Sequence, residues 1–274
     1  MRFVEQSRVT SVLACLTVFA LPLLAFGQQA GNSAGLADKE YEVAAVLWQQ
    51  SSGEHRALCY QSFALARMLL DRDLRNRGRR QRRAVIVDVD DTVLDNSRYP
   101  AAEIKQHFNY PQGWTEWINR VEATAVPGAV EFLQYANSRG ARVFYVTNRK
   151  QIEKDGTTRN LKALGFPEVN DETLLVRTDP KSDTKEPRRL AIMSKYHVVL
   201  LMGDDLNDFS EAFEKSRTVA SRIDAAEHNK SQFGTHFIVL PNPMYGNWEN
   251  AIYDYNFNLP EEAKAQKRQS LLRD

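Results

Sequence analysis

Two short stretches carry carboxylates at spacings that can do chemistry. The first, Asp88-Val89-Asp90-Asp91-Thr92, directly follows the apolar run 84–87. Side chains alternate in an extended segment, so Asp88 and Asp90 are expected to point one way and Asp91 the other. Two carboxylates forced to one side of an open strand end repel. They are tolerated there with a cation between them or a shared proton. The second stretch is Gly203-Asp204-Asp205-Leu206-Asn207-Asp208, after the apolar run 198–202. Asp204 and Asp208 are four apart and share a face if a helix begins there. Gly203 would let the backbone turn tightly beside them. Capping by Asp accounts for either cluster alone. Both together fit a hard divalent cation such as Mg²⁺ better.

Two polar stretches stand with them. Thr147-Asn148-Arg149 follows the run 143–146 and offers a hydroxyl, an amide and a guanidinium as donors for a phosphoryl oxygen. Lys181-Ser182-Asp183-Thr184-Lys185-Glu186-Pro187-Arg188-Arg189 is cationic and precedes a helical pattern. One of its lysines can neutralise charge that develops on a transferred phosphoryl group.

The elements that must position these residues alternate. Runs 84–87, 143–146, 198–202 and 237–240, with 174–176 as a fifth, are continuous apolar stretches suited to strands covered on both faces. Helical spacing recurs over 128–138, 157–164, 185–195 and 208–216. It also runs over 37–74, with an interruption at Ser51-Ser52-Gly53. This order indicates an α/β fold with a doubly wound, mainly parallel sheet, in which ligands bind beyond the carboxyl ends of the strands.

Composition sets the outer bounds. The 274 residues are 43% hydrophobic and 26% charged with a net charge of +1, a balance that excludes a general binder of nucleic acid polymers. Two cysteines exclude a disulfide-stapled scaffold. Arg2 and Arg8 precede an apolar run from 12 to 26, and Ala25 and Gly27 suit cleavage near Gln28. Residues 1–27 are therefore expected to be a signal peptide, which makes the chain exported, to the periplasm or the cell surface of a bacterium. Cys15 is the alternative end of that signal, as a lipid-bearing residue, and attachment to the outer membrane is expected only in that case. The arginine-rich stretch 75–83 is a solvated connector into the first strand or a site for anions.

The order of motifs resembles the haloacid dehalogenase superfamily, whose pattern is a strand into DxDxT, a strand into Ser/Thr, a downstream Lys and a strand into GDxxxD. Within it the chain is most similar to the class C bacterial acid phosphatases, the lipoprotein e type of 5′-nucleotidase. The likeness is carried by Asp88 through Tyr99, Ala125-Val126-Pro127-Gly128, Val143 through Arg149, Gly203 through Phe209, and Leu240-Pro241-Asn242-x-x-Tyr245-Gly246-x-Trp248. It spans about residues 40–250.

The resemblance implies a haloacid dehalogenase-like core at 28–274, with amino-terminal helices at 37–75 and a small helical cap inserted at about 95–140. It implies Asp88 as nucleophile and Asp90 as general acid and then base. Mg²⁺ would be held by Asp88, the Asp90 backbone carbonyl and Asp204, with Asp208 or Asp205 in support. Thr147, Asn148 and Lys185, with Arg188, would bind phosphoryl oxygens. One extra residue in the lysine stretch leaves Lys181 in competition with Lys185. Trp114 and Tyr245 match positions that stack a nucleobase, whereas Trp117 and Trp248 suit core aromatics. The implied activity is hydrolysis of small phosphomonoesters, nucleoside 5′-monophosphates above all, at acidic pH. Sugar or aryl phosphates are the alternative substrates. A surface protein that binds haem or another planar ligand without turnover is the alternative from another class.

Overall fold

The computed structural model describes residues 33–273 except 77, 79, 80, 180 and 183, with side chains from 39 onward. The expected signal segment 1–27 and Cys15 lie outside the described residues, as do Arg77, Arg79 and Arg80 of the arginine-rich stretch. Among the described residues no helix is long and apolar enough to cross a membrane.

Two helices lead, α1 (Ser33–Ser51) and α2 (Gly53–Leu74). They part at Ser52, which takes an extended ψ of 141° while its hydroxyl accepts from His55 N and caps α2. The chain continues as β1 (Arg83–Val87), β2 (Leu94–Asp95), α3 (Arg98–Gln106), α4 (Trp114–Arg120), β3 (Thr124–Ala125), α5 (Ala129–Ser138) and β4 (Arg142–Lys150). Then come α6 (Lys154–Ala163), β5 (Leu174–Arg177), α7 (Glu186–Met193), β6 (His197–Gly203), α8 (Glu211–Glu214), α9 (Val219–His228), β7 (Phe237–Val239), α10 (Asn247–Ile252) and α11 (Glu261–Ser270).

Five strands form one sheet in the order β5-β4-β1-β6-β7, and every pairing is parallel. The chain steps outward from β1 through β4 to β5, then returns to the other side of β1 for β6 and β7. That reversal opens a crevice beyond the carboxyl ends of β1 and β6. Asp88 and Asp204 are the first residues past those two ends.

The strands are apolar in their middles because alternate residues enter two separate cores. Val85, Val87, Tyr145 and Met202 pack with Phe63, Leu70, Phe132 and Leu161. Ala84, Ile86, Phe144 and Leu201 pack with Ile192, Phe209, Phe213 and Phe237. Each large apolar side chain so buried stabilises the fold by about 1.5–3 kcal/mol, which keeps the strand ends rigid. β2 and β3 pair antiparallel, Leu94 opposite Ala125, and α3 and α4 lie between them in sequence. α5 packs against α2 and β4 and so serves as the crossover helix of the core.

Three details differ from the sequence expectation. The helix expected over 208–216 splits, because Ser210 is fully extended (φ −160°, ψ 160°) and caps the short α8 by accepting from Ala212 N. β4 runs past residue 146 to Lys150, so Thr147, Asn148 and Arg149 are part of the strand. Trp117 is in the core as expected, but Trp248 is 45% exposed, with its Nε1 donating to Tyr245 O.

The opposite end of the sheet is tied by Asp73 at the end of α2, which accepts from Arg83 Nε at 2.6 Å and contacts His197 Nε2 at 2.9 Å. Partial burial pushes its carboxyl up, but the His197 and Arg83 hydrogen bonds outweigh this and hold it below its ordinary value. A depressed folded value means stability present above about pH 3.9, the unfolded value, and lost as the pH falls through the folded one. Asp73→Asn should therefore be destabilised at pH 7 by about 0.5–1 kcal/mol after solvent screening. Urea midpoints at pH 7 and pH 3 should show the gap close at the lower pH.

Candidate active site

Past β1 the chain makes a tight turn. Asp88 N donates to Met202 O, Val93 N to Val89 O, and Asp91 N to Leu94 O at 2.7 Å. Asp91 sits in the left-handed region with φ 53°, which Asp tolerates better than most residues. Its buried carboxylate accepts from Asn96 N and from the Tyr245 hydroxyl, joining the turn to the loop after β7. Burial, with Asp95 nearby, pushes Asp91 up to about 8.

Asp88, Asp204 and Asp208 converge, each offering a carboxylate oxygen within 4.8 Å of the others. Lys185 Nζ bridges two of them, donating to Asp88 Oδ1 and, at 2.6 Å, to Asp208 Oδ1. Among the described residues Asp204 meets neutral donors, Thr92 Oγ1 at 2.9 Å and Asn242 Nδ2 at 2.8 Å. Burial, then Asp208 and Asp88, raises the Asp204 carboxyl well above its ordinary value. Burial also raises Asp88 to about 7, with Asp208 and Asp90 adding to it and Lys185 opposing.

Three ionised carboxylates against one ammonium leave two buried negative charges without compensation, a costly state. An all-oxygen donor set with that deficit fits a hard divalent cation. Asp88, Asp204 and Asp208 are the side chains that would hold it.

Gly203 serves this cluster by absence of a side chain. A Cβ there would run into Asp208, with Cγ only 2.6 Å away. The sequence expectation was a tight turn, but the reason is the close approach of Asp208. Gly203→Ala should push Asp208 off Lys185, cost about 1–3 kcal/mol and weaken metal binding. Thermal midpoints with and without Mg²⁺ would show both effects.

Asp90 belongs to a neighbouring network. Its Oδ1 accepts from Arg149 Nε (2.9 Å), Arg149 Nη2 (2.7 Å) and Asn96 Nδ2 (2.8 Å). Its Oδ2 lies 3.4 Å from Thr147 Oγ1. Thr147 is buried, and its hydroxyl accepts from Arg149 N. Arg149, expected as a phosphoryl donor, is thus engaged with the carboxylate.

The remaining candidates divide. Lys185 is buried on the cluster, and Lys181 is exposed. The Lys185 backbone is anchored by Glu214, which accepts from Lys185 N and from Arg189 Nη2. Arg188 directs its donors to Thr147 O, Leu175 O, Thr184 O and Asn148 Oδ1, bracing the ends of β4 and β5. Asn148 is exposed beside it. Asp205 stands outside the carboxylate cluster. It accepts from Asn207 N, Asn247 N and Arg222 Nη2, and so caps the turn 206–208. Half-buried Trp114 has its ring 5.7 Å from the Arg149 guanidinium carbon and packs edge-on against Tyr99 and Tyr110.

Sequence reasoning gave no role to Asn96 or Asn242. Asn96 is fully buried, and its Oδ1 accepts from Trp117 Nε1 at 2.9 Å, which sets its amide to donate toward Asp90. An amide just past the Asp cluster was the available signal, since the Trp that orients it lies 21 residues further along the chain.

A family model described as HAD superfamily, subfamily IIIB (Acid phosphatase) matches residues 25–248. The class C acid phosphatase from Bacillus anthracis with tungstate bound is similar in structure, with a TM-score of 0.82 and 40% identity over 88% of this chain and 99% of that one. A second structure of that Bacillus anthracis enzyme matches with the same values.

Proposed function

The chain belongs to the acid phosphatases of HAD subfamily IIIB and is a phosphomonoester hydrolase, and from that premise we propose an exported, Mg²⁺-dependent enzyme that hydrolyses nucleoside 5′-monophosphates through Asp88. The observation that carries this is the convergence of Asp88, Asp204 and Asp208, two of them bridged by Lys185, with Asp90 held alongside. A binder without turnover would have no use for such an arrangement of like charges.

In this mechanism an Asp88 carboxylate oxygen attacks phosphorus and forms an aspartyl ester of phosphate. Lys185 keeps Asp88 oriented and offsets charge on the phosphoryl oxygens. Thr147, from the end of β4, supplies a hydroxyl donor to the same oxygens. Asp90 gives its proton to the leaving oxygen, then takes one from the water that releases phosphate. A bound Mg²⁺ supplies charge neutralisation of the phosphoryl group. An acidic optimum is supported by membership of the acid phosphatase family. Tungstate, an oxyanion held by the Bacillus anthracis relative, should compete here with phosphate.

Trp114 and Tyr245 support the nucleotide preference, since the Trp114 ring lies beside Arg149, the Tyr245 hydroxyl bonds Asp91 next to Asp90, and a base offers a π face to either ring. Trp114→Ala should lower kcat/KM for 5′-AMP by about 5–100-fold, the loss of one stacking contact of about 1–3 kcal/mol, and leave a simple aryl phosphate nearly unchanged. Equal loss on both would count against base recognition. The reading as a whole is tested by rates on 5′-AMP, 3′-AMP and an aryl phosphate across pH, with and without EDTA. Export is supported by the apolar run after Arg2 and Arg8 and by Ala25 and Gly27, and membrane attachment would follow only from lipidation of Cys15.

A further inference from the structure

Arg149 is a buried cation at the end of β4 whose donors are nearly all assigned. Nε and Nη2 both reach Asp90 Oδ1, and Nη1 reaches Thr157 Oγ1 at 3.0 Å. Nη2 also lies 3.3 Å from Asn96 Oδ1. Thr157 is fixed in turn, its hydroxyl donating to Glu153 O at 2.8 Å. Asn96 is oriented by Trp117 Nε1 and adds a third donor to the same oxygen. No hydrogen bond to a phosphoryl group is needed to explain where this guanidinium sits.

Three donors on one carboxylate oxygen have a definite consequence. Oδ1 is committed as an acceptor, so a proton carried by Asp90 must sit on Oδ2, which among the described residues has Thr147 Oγ1 as its hydrogen-bond neighbour, at 3.4 Å. Two N–H groups of one rigid guanidinium, with the Asn96 amide, fix the position of Oδ1, which a single ammonium cannot do.

We propose that Arg149 is the positioning residue of the proton-transfer step, holding Asp90 by Oδ1 so that Oδ2 is the oxygen presented to the leaving group. The inference rests on the proposed role of Asp90 as acid and base. As the Asp88 oxygen bonds to phosphorus, the bond from phosphorus to the leaving oxygen breaks and its electron pair stays on that oxygen. The proton on Asp90 Oδ2 passes to it, giving the free alcohol and an Asp90 carboxylate. In the second half Oδ2 takes a proton from water as the water oxygen bonds to phosphorus and Asp88 is released.

In the first half a misplaced proton matters only where the leaving group needs one. The second half is common to all esters, so the first half is read from kcat/KM. The test compares kcat and KM for glycerol phosphate, whose alkoxide must be protonated, with those for 2,4-dinitrophenyl phosphate, whose phenolate leaves unaided. Both are measured on the intact protein with Mg²⁺. Arg149→Lys keeps the charge and loses the fork. It should lower kcat/KM for glycerol phosphate by about 100-fold, within the range of general acid catalysis, and far less for the dinitrophenyl ester, whose loss in kcat reports the shared second half. Thr157→Val, which removes one brace of Arg149 without touching Asp90, should show the same bias at smaller size, and it decides the matter if Arg149→Lys folds poorly. Equal losses of kcat/KM on the two esters, or a raised KM with kcat intact on both, would overturn the positioning role while leaving the phosphatase reading in place. A wild-type protein that hydrolyses neither ester with Mg²⁺ would instead overturn that reading, and the positioning role with it.

Discussion

Asp88→Asn is expected to reduce kcat by at least about 10⁴-fold, the scale of losing a nucleophile, while raising the thermal midpoint of the metal-free protein. Both effects come from one property of the site. Burial, with Asp208 and Asp90 close by, raises Asp88 to about 7 even with Lys185 on it. A carboxyl whose folded value is raised contributes stability in its protonated form. That contribution is full below about pH 3.9, its unfolded value, and is lost as the pH rises toward 7. Asn has no charge to be penalised. The midpoint gained by the variant should therefore be absent at pH 3.5 and largest at pH 7 and above. Lys185 keeps Asp208 as a partner at 2.6 Å, so the substitution does not strand a buried ammonium. Differential scanning calorimetry in EDTA alongside kcat measures both effects. A variant that keeps even 1% of wild-type turnover, or that melts lower across the whole pH range, would contradict this.

The second large effect concerns the charge deficit at the cluster. Mg²⁺ at about 100 times its dissociation constant should stabilise the wild-type protein by about 2.7 kcal/mol through mass action, and chelation should remove activity together with that stabilisation. Asp204 is the carboxylate to change, because its own partners, Thr92 and Asn242, are neutral and Lys185 does not reach it. Asp204→Asn keeps the shape and relieves repulsion, so the metal-free variant should melt above wild type. It should gain little or nothing from Mg²⁺ and lose turnover by more than about 100-fold, beyond what disturbing an outer-shell partner of a metal site costs. Midpoints titrated with Mg²⁺ separate the effects. A wild-type midpoint indifferent to Mg²⁺ at millimolar concentration would sink the cation assignment.

The strand ends were legible in the sequence because burial on both faces writes a continuous apolar run, and a run that stops at Asp or Gly-Asp marks where the chain leaves the core. Asp88 and Asp204 follow directly from that, and the parallel sheet with its reversal at β1 puts them at one crevice. Direction of side chains was less legible. Asp88 and Asp90 were expected as a repelling pair with a cation between them or a shared proton, and Arg149, 59 residues along the chain from Asp90, draws the Asp90 carboxylate into its own network. Asp204 and Asp208 were expected on one helix. They converge instead through a turn that Asp205 caps, made possible by the bare Cα of Gly203. Residue type alone could not separate Lys185 from Lys181. The difference is depth, and it is set by Glu214 fastening the Lys185 backbone from α8.

The most direct measurement is rapid acid quench of the Mg²⁺-loaded protein during turnover of ³²P-labelled 5′-AMP, followed by peptide mapping. The expected result is transient, base-labile label on the peptide bearing Asp88, absent from Asp88→Asn and lost at the rate of phosphate release. Label on any other residue, or steady phosphate release with no labelled Asp88 peptide at any time, would contradict nucleophilic catalysis by Asp88.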